Sequence, residues 1–223
     1  MFSIHFPFVM KKFALSALLV ASVLAAPAVA KDPTAPKAAT TAKAPASYKV
    51  QPQLSTLGWV GKKVTGQHNG TIQFKSGDVE VQGSQITGGT FLVDMTSLKV
   101  VDITDADTNG KLMGHLRSDD FFSIEKNPTA TFKITRITPI KGAAAAANNA
   151  TVAGELTIKG ITKPVSFPAK VGVKNGVAAA SGTATIDRTL FDIRYGSKSF
   201  FESIGDKAID NDFTLSFNVI AKK

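Results

Sequence analysis

Asp105-Ala106-Asp107-Thr108-Asn109-Gly110 sets oxygen-bearing side chains at every second position and ends on glycine, as the opening half of a calcium-binding loop does. The twelfth position of such a loop should supply a bidentate carboxylate, and here it is Leu116. An Asp-rich turn that caps a helix explains the same residues without a metal. Further on, His115 precedes Asp119 and Asp120, and an imidazole beside carboxylates is the material of a general base or a metal-dependent hydrolase. Apart from His5 near the N-terminus, only His68 accompanies it, so one copy of the chain cannot build a three-histidine metal site. No Gly-x-Ser-x-Gly elbow is present to supply a nucleophile. The plainer expectation is that His115 hydrogen-bonds a neighbouring loop and that His68 is a core or rim histidine. Asp187-Arg188 closes a strand, with Arg188 in phase with Ile186 at one mouth of the fold. Arg188 there either pairs with Asp187, Asp119 or Asp120, or bonds the polar head of a ligand.

The chain contains no cysteine, which removes disulfides, thiolate catalysis and cysteine-ligated zinc. Lys11 and Lys12 lead into the apolar run Phe13 to Ala26, followed by Ala28, Val29 and Ala30. That arrangement predicts a signal peptide over 1–30, cleaved after Ala30, with Met10 an alternative start. The expected address is periplasmic or secreted. Residues 31–46 are Ala, Pro, Thr and Lys with one Asp, a composition that predicts a flexible linker ahead of one domain over 47–223. The formal charge of +9 over the whole chain owes much to these two segments, and the excess that remains is spread singly along strands. A basic stripe with interleaved aromatics is missing, which argues against nucleic acid as a partner.

From Ser47 onward the apolar period is two. His68, Gly70, Ile72 and Phe74 share one face of a strand, and Phe91, Val93 and Met95 share one face of another. The pattern repeats at Phe132 and Ile134, at Leu156 and Ile158, along Val165 to Val173, along Ala180 to Ile186, and along Phe213 to Val219. Lys174-Asn175-Gly176 predicts a tight hairpin, and Gly88-Gly89 a bulge or a tight bend. The segment 102–122 alone breaks the series. It predicts a short helix capped at Thr108 or Asn109, carrying Leu112 and Leu116 on one side and stopped at Ser118-Asp119, with Phe121 and Phe122 turned inward. About eight antiparallel strands without a covering helical layer form a sandwich or a barrel, and long strands with recurring glycines favour the barrel. Gly70, Ala180, Gly182 and Ala184 share its predicted inner face with aromatics, leaving room for an apolar cavity.

Several stretches carry a family likeness. Trp59 to Gly70 (WVGKKVTGQHNG), Lys111 to Phe122 (KLMGHLRSDDFF) leading to Pro128-Thr129-Ala130-Thr131-Phe132, Gly154 to Val165 (GELTIKGITKPV), Ile186-Asp187-Arg188 with Phe191, and Gly205 to Ile209 together resemble the YceI-like family of exported lipid-binding proteins. Gln51 and Pro52 stand where the family often has an aspartate. The resemblance implies an all-β fold, an extended lipocalin-like antiparallel eight-stranded barrel with a short helical insertion over 109–117 that helps to close it. It also implies non-catalytic binding of a polyisoprenoid, quinone-like or other long-chain lipid, without cofactor or metal. Alternation along the strands then selects Ile72, Phe74, Phe91, Val93, Phe132, Ile134, Phe167, Ile186, Phe213 and Phe217 as lining residues, with His115 and Arg188 at the mouth or head group. Transient membrane contact is part of this expectation, and the oligomeric state stays open, a homodimer included. The rival expectations are a His/Asp or metal-dependent hydrolase and a structural barrel filled by its own side chains.

Overall fold

A computed structural model of the chain describes residues 44–202 and 204–223. The expected leader and most of the expected linker lie outside the described residues. Strands β1 (Ala46–Val50), β2 (Thr56–Lys63), β3 (Gly66–Gln82) and β4 (Gln85–Val100) precede the helix α1 (Ala106–Arg117). Strands β5 (Thr129–Pro139), β6 (Ala150–Ile158), β7 (Ile161–Lys174), β8 (Val177–Asp187) and β9 (Ile209–Lys222) follow it.

Every pairing is antiparallel, and the sheet closes on itself through β3 to β9 and back. Strands β1 and β2 both lie between β3 and β9, separated by a short 3-10 turn at Pro52–Leu54, so they are two halves of one stave. The nine strands therefore build the expected eight-stave barrel. Pro52 makes the break, since a proline gives no backbone donor to a ladder and suits the first turn of a helix. The barrel is elongated: β3 has 17 residues, and at the usual rise a strand of that length spans about 56 Å.

Local chemistry explains the joints. Asn175 and Gly176 take φ of 49° and 75°, and Lys159 and Gly160 take 50° and 73°. Two successive left-handed residues make the turn whose twist matches a two-residue hairpin, so β7–β8 and β6–β7 are tight. At Gly88 the register between β3 and β4 slips, placing the expected bulge there. A side chain on neighbouring Gly89 would lie 2.7 Å from the Asp78 carbonyl.

The connection between β4 and β5 forms one end cap. The start of α1 differs from expectation: its N-cap is Asp105, whose carboxylate accepts the Thr108 amide, and not Thr108 or Asn109. A carboxylate reaches the exposed amides of a first turn better than residues already inside it. Asn109 bonds the carbonyls of Val100 and Ile103 instead, tying the helix to the end of β4. Ser118 stops the helix as anticipated. Phe121 is buried, and Phe122 packs partly buried against the same core. The β8–β9 connection, with a 3-10 turn at Arg188–Phe191, covers the same end of the barrel, where Phe191 and Ile193 are fully enclosed.

Candidate ligand cavity

Two adjoining cavities occupy the barrel. The chamber farther from α1 has a volume of about 120 Å³, and all its lining residues are apolar, including Phe74, Phe91, Phe132, Phe167 and Phe217. The chamber beneath α1 has about 130 Å³ and is lined by Trp59, Ile72, Leu116, Phe121 and Phe213 among others, with Arg188, Asp210 and Asp212 along one side. Leu57, Val93, Leu156 and Leu215 line both. Leu57 and Leu156, on the opposite staves β2 and β6 of the closed sheet, thus belong to the ring of residues that the two chambers share, the waist between them.

The structure places each of the ten residues selected by alternation on a wall of one chamber or the other. Five of them form a collar of rings. Successive centroids along Phe74, Phe91, Phe132, Phe167 and Phe217 are 6.3, 6.3, 5.5 and 5.4 Å apart, a spacing at which aromatic pairs attract. Several inward residues, among them Phe132, Ile134, Val165, Phe167 and Phe217, remain only partly buried although they face the barrel axis. Close-packed interiors leave no such accessibility, so the core of this barrel is hollow where these rings meet. Ala180 and Ala184 contribute space to the same chamber.

The glycines expected on the inner face have other tasks. A side chain on Gly70 would lie 1.8 Å from the Lys99 carbonyl and 2.6 Å from the Trp59 indole nitrogen. Gly70 therefore admits the crossing of β4 and the Trp59 ring, which donates to the Lys99 carbonyl at 3.1 Å. Gly182 admits the Phe217 ring and the Pro168 carbonyl.

Arg188 is 4% exposed and lines the chamber under α1. The expected carboxylate partners are replaced by backbone: Nε donates to the Asp210 carbonyl at 2.9 Å, Nη1 to Ile193 at 2.7 Å and Nη2 to Ile209 at 3.1 Å. Burial pulls its pKa below the ordinary guanidinium value, with Asp187 and Asp210 acting in the opposite sense. The forked guanidinium thus pins the β8–β9 connection to the start of β9, a structural use that a lysine could not copy.

His115 lines neither chamber. Its Nε2 lies 3.2 Å from an Asp120 carboxylate oxygen, and its ring stands edge-on to Phe121 and Tyr195 at 4.9 and 4.5 Å. It joins α1 to the β8–β9 connection from outside. Asp119, the other expected partner, is engaged by Ser123 and Lys126, and these bonds hold its carboxyl below the usual range. His68 is a rim residue, 2.8 Å from Asp102. The supposed calcium loop is the first turn of α1, with Gly110 inside the helix and Asp105 committed to its cap. Among the described residues no group of three or more His, Cys, Asp or Glu is arranged to hold a metal ion.

Alternation alone missed the waist residues Leu57, Leu156 and Leu215. Only Leu215 carried a signal, being in phase with the expected lining residues Phe213 and Phe217 on β9; Leu57 and Leu156 lie on β2 and β6, which supplied no expected lining residue.

A profile of the YceI-like domain matches residues 48–221. A UPF0312 protein of Pseudomonas aeruginosa is 40% identical over 72 residues, 32% of this chain and 35% of that protein. The chain thus spans about a third of the length of the first curated relatives it matches. Among solved structures, BcnA of Burkholderia cenocepacia superposes with a TM-score of 0.55 at 22% identity, covering 78% of this chain and 99% of that one. A polyisoprenoid binding domain from Saccharophagus degradans, implicated in plant cell wall breakdown, also gives 0.55, at 15% identity over 78% of this chain and 97% of that one. At these identities both superpositions establish a shared fold.

Proposed function

The chain belongs to the YceI-like family, and we propose that it binds and sequesters a long-chain amphiphilic lipid, polyisoprenoid or quinone-like, inside the barrel, without a catalytic step. One observation carries this reading: the barrel interior holds two adjoining apolar chambers whose inward rings are left partly uncovered. The likeness in fold to the Saccharophagus domain, described as polyisoprenoid-binding, supports the choice of ligand class. An exported location, periplasmic or secreted, belongs to the same proposal and rests on the basic and apolar pattern of the first 30 residues.

The energetics suit a chain rather than a compact polar ligand. Each methylene moved from water into an apolar site contributes about 0.8 kcal/mol, so about ten contribute roughly 8 kcal/mol before the cost of ordering the chain. Either chamber alone is near the size of an engineered apolar void of about 150 Å³ that takes up a single benzene. A long tail therefore spans both chambers through the waist and displaces the collar rings as it enters. Native mass spectrometry of the protein purified from its source without detergent, followed by organic extraction, tests the reading. The expected result is a stoichiometric adduct that releases a single-chain lipid. A clean protein mass that stays unchanged when isoprenoid lipids are offered would overturn it and favour a barrel filled by its own side chains.

A further inference from the structure

Strands β7 and β8 are zipped along only part of their length. Their register runs from Lys174 opposite Val177 to Ala169 opposite Gly182 and ends there. Strand β7 nevertheless continues to Ile161, paired with β6, and β8 continues to Asp187, paired with β9. Two extended edges thus face each other in the barrel wall without a ladder between them.

The sequence supplies the cause. The Asn149 amide donates to the Ala169 carbonyl at 3.0 Å, and the Val171 amide donates to Asn149 Oδ1 at 2.8 Å. Odd-numbered residues of β7 therefore turn their backbone groups toward β6, and even-numbered ones toward β8. Pro164 and Pro168 are both even and have no amide hydrogen to offer across that seam.

The unzipped stretch borders the apolar interior. If the register continued, Phe167 would stand opposite Ala184 and Val165 opposite Ile186, and all four line the chamber farther from α1. Phe167 and Val165 stay partly exposed. The next residue in phase, Lys163, is paired in register with Leu156 of the waist. Lys163 is half-buried, and among the described residues its ammonium is not engaged in a hydrogen bond or ion pair. At the lid end of the seam, Leu190 on the 3-10 turn is 48% exposed.

We propose that the β7–β8 seam is a side portal through which a single-chain amphiphile enters the barrel, and that Lys163 at its lip holds an anionic head group. The proposal rests on the lipid-binding reading above. It assigns the tail to the chambers and the head to the wall at Lys163, and not to Arg188, whose donors are engaged with carbonyls. A second seam parts at the opposite rim, where β4–β5 pairing ends at Gly89 opposite Ile134 while Gln85 to Gly88 and Thr135 to Pro139 run on. It is the rival route.

Because the chain has no cysteine, paired cysteines can be introduced cleanly. Ser166→Cys with Thr185→Cys places thiols on the outer lips of the portal, and Thr87→Cys with Arg136→Cys does so at the rival seam, all at exposed positions. Each pair is bridged with a short bis-maleimide, and uptake of cis-parinaric acid, a fluorescent single-chain carboxylate, is followed by stopped flow. Bridging 166 to 185 is expected to slow uptake about tenfold, equal to about 1.4 kcal/mol on the barrier, while bridging 87 to 136 leaves the rate unchanged. Equal slowing by both bridges, or slowing by the second alone, overturns the portal. Lys163→Gln is expected to weaken cis-parinaric acid about tenfold, the scale of one charge-assisted hydrogen bond, and to leave neutral retinol unchanged. Equal effects on the two probes remove Lys163 from the head-group site. Unbridged protein that takes up neither probe would overturn the lipid-binding reading itself and the portal with it.

Discussion

At the scale of single residues, the side chains best equipped for chemistry are used to hold the lid end together. Arg188 is the clearest. Three carbonyls from two segments converge on it, so Arg188→Met removes a buried cation and also strands three acceptors. Loss of a buried hydrogen-bonding centre of this kind costs on the order of 3 kcal/mol, and urea unfolding should register it as a lower midpoint. Asp102 makes a pH-dependent contribution. Burial works to raise its pKa, but the Asn69 amide and the His68 ring outweigh that, and the carboxyl titrates below its usual range. A depressed carboxylate contributes stability above its unfolded pKa and loses it as the pH falls through the folded one. The urea midpoint should accordingly drop on acidification below about pH 4, and Asp102→Asn should flatten that part of the profile. An unchanged profile in the variant would assign the acid response to other carboxylates. The types of these residues were legible in the sequence, but their partners were not: Arg188 was expected to meet either a carboxylate or a ligand head group and instead meets carbonyls, because its pairing depends on where the chain after β8 folds back.

At the scale of elements, period-two alternation identified the strands, and glycine and proline identified the joints. Asn175-Gly176 and the bulge at Gly88 follow from backbone freedom alone and lie where the sequence puts them. The helix was legible as an element, but its cap was displaced toward Asp105, since four residues of capping type occur within five and only the path of the preceding chain selects one. Gly70 illustrates a constraint invisible to alternation. It was expected to widen the cavity, yet it permits the approach of β4 and the Trp59 indole. Gly70→Ala sets a methyl against a backbone carbonyl that cannot move without parting β3 from β4 and should destabilise the barrel by roughly 3 kcal/mol or more, at the upper end of single substitutions. Gly61→Ala lies on the adjoining stave with nothing within 4 Å of the added carbon and is the control, expected to leave the urea midpoint almost unchanged.

At the scale of the whole molecule, the question is why evolution would leave a barrel of this length hollow. Every inward-facing residue that fills the void would add burial and stability, so a retained void implies a use or an accident, and the two make different predictions. The sequence showed the apolar inner face but could not show the void, because the same alternation describes a barrel filled by its own side chains. Only the ring positions and the incomplete burial of Phe132, Phe167 and Phe217 separate the cases. Ala180 on β8 lines the chamber farther from α1, with register partners Val171 and Val219 that line it too. Ala180→Leu extends apolar atoms into that space and, as a cavity-filling change, should stabilise the lipid-free protein by about 1 kcal/mol. If the void is the tail site, the same substitution weakens cis-parinaric acid by about tenfold or more, since the added carbons occupy volume the tail requires. Opposite signs in the urea midpoint and in the titration mark a barrel kept hollow for its ligand. A gain in stability with unchanged affinity would mean that the tail lies elsewhere and that this chamber is a packing defect.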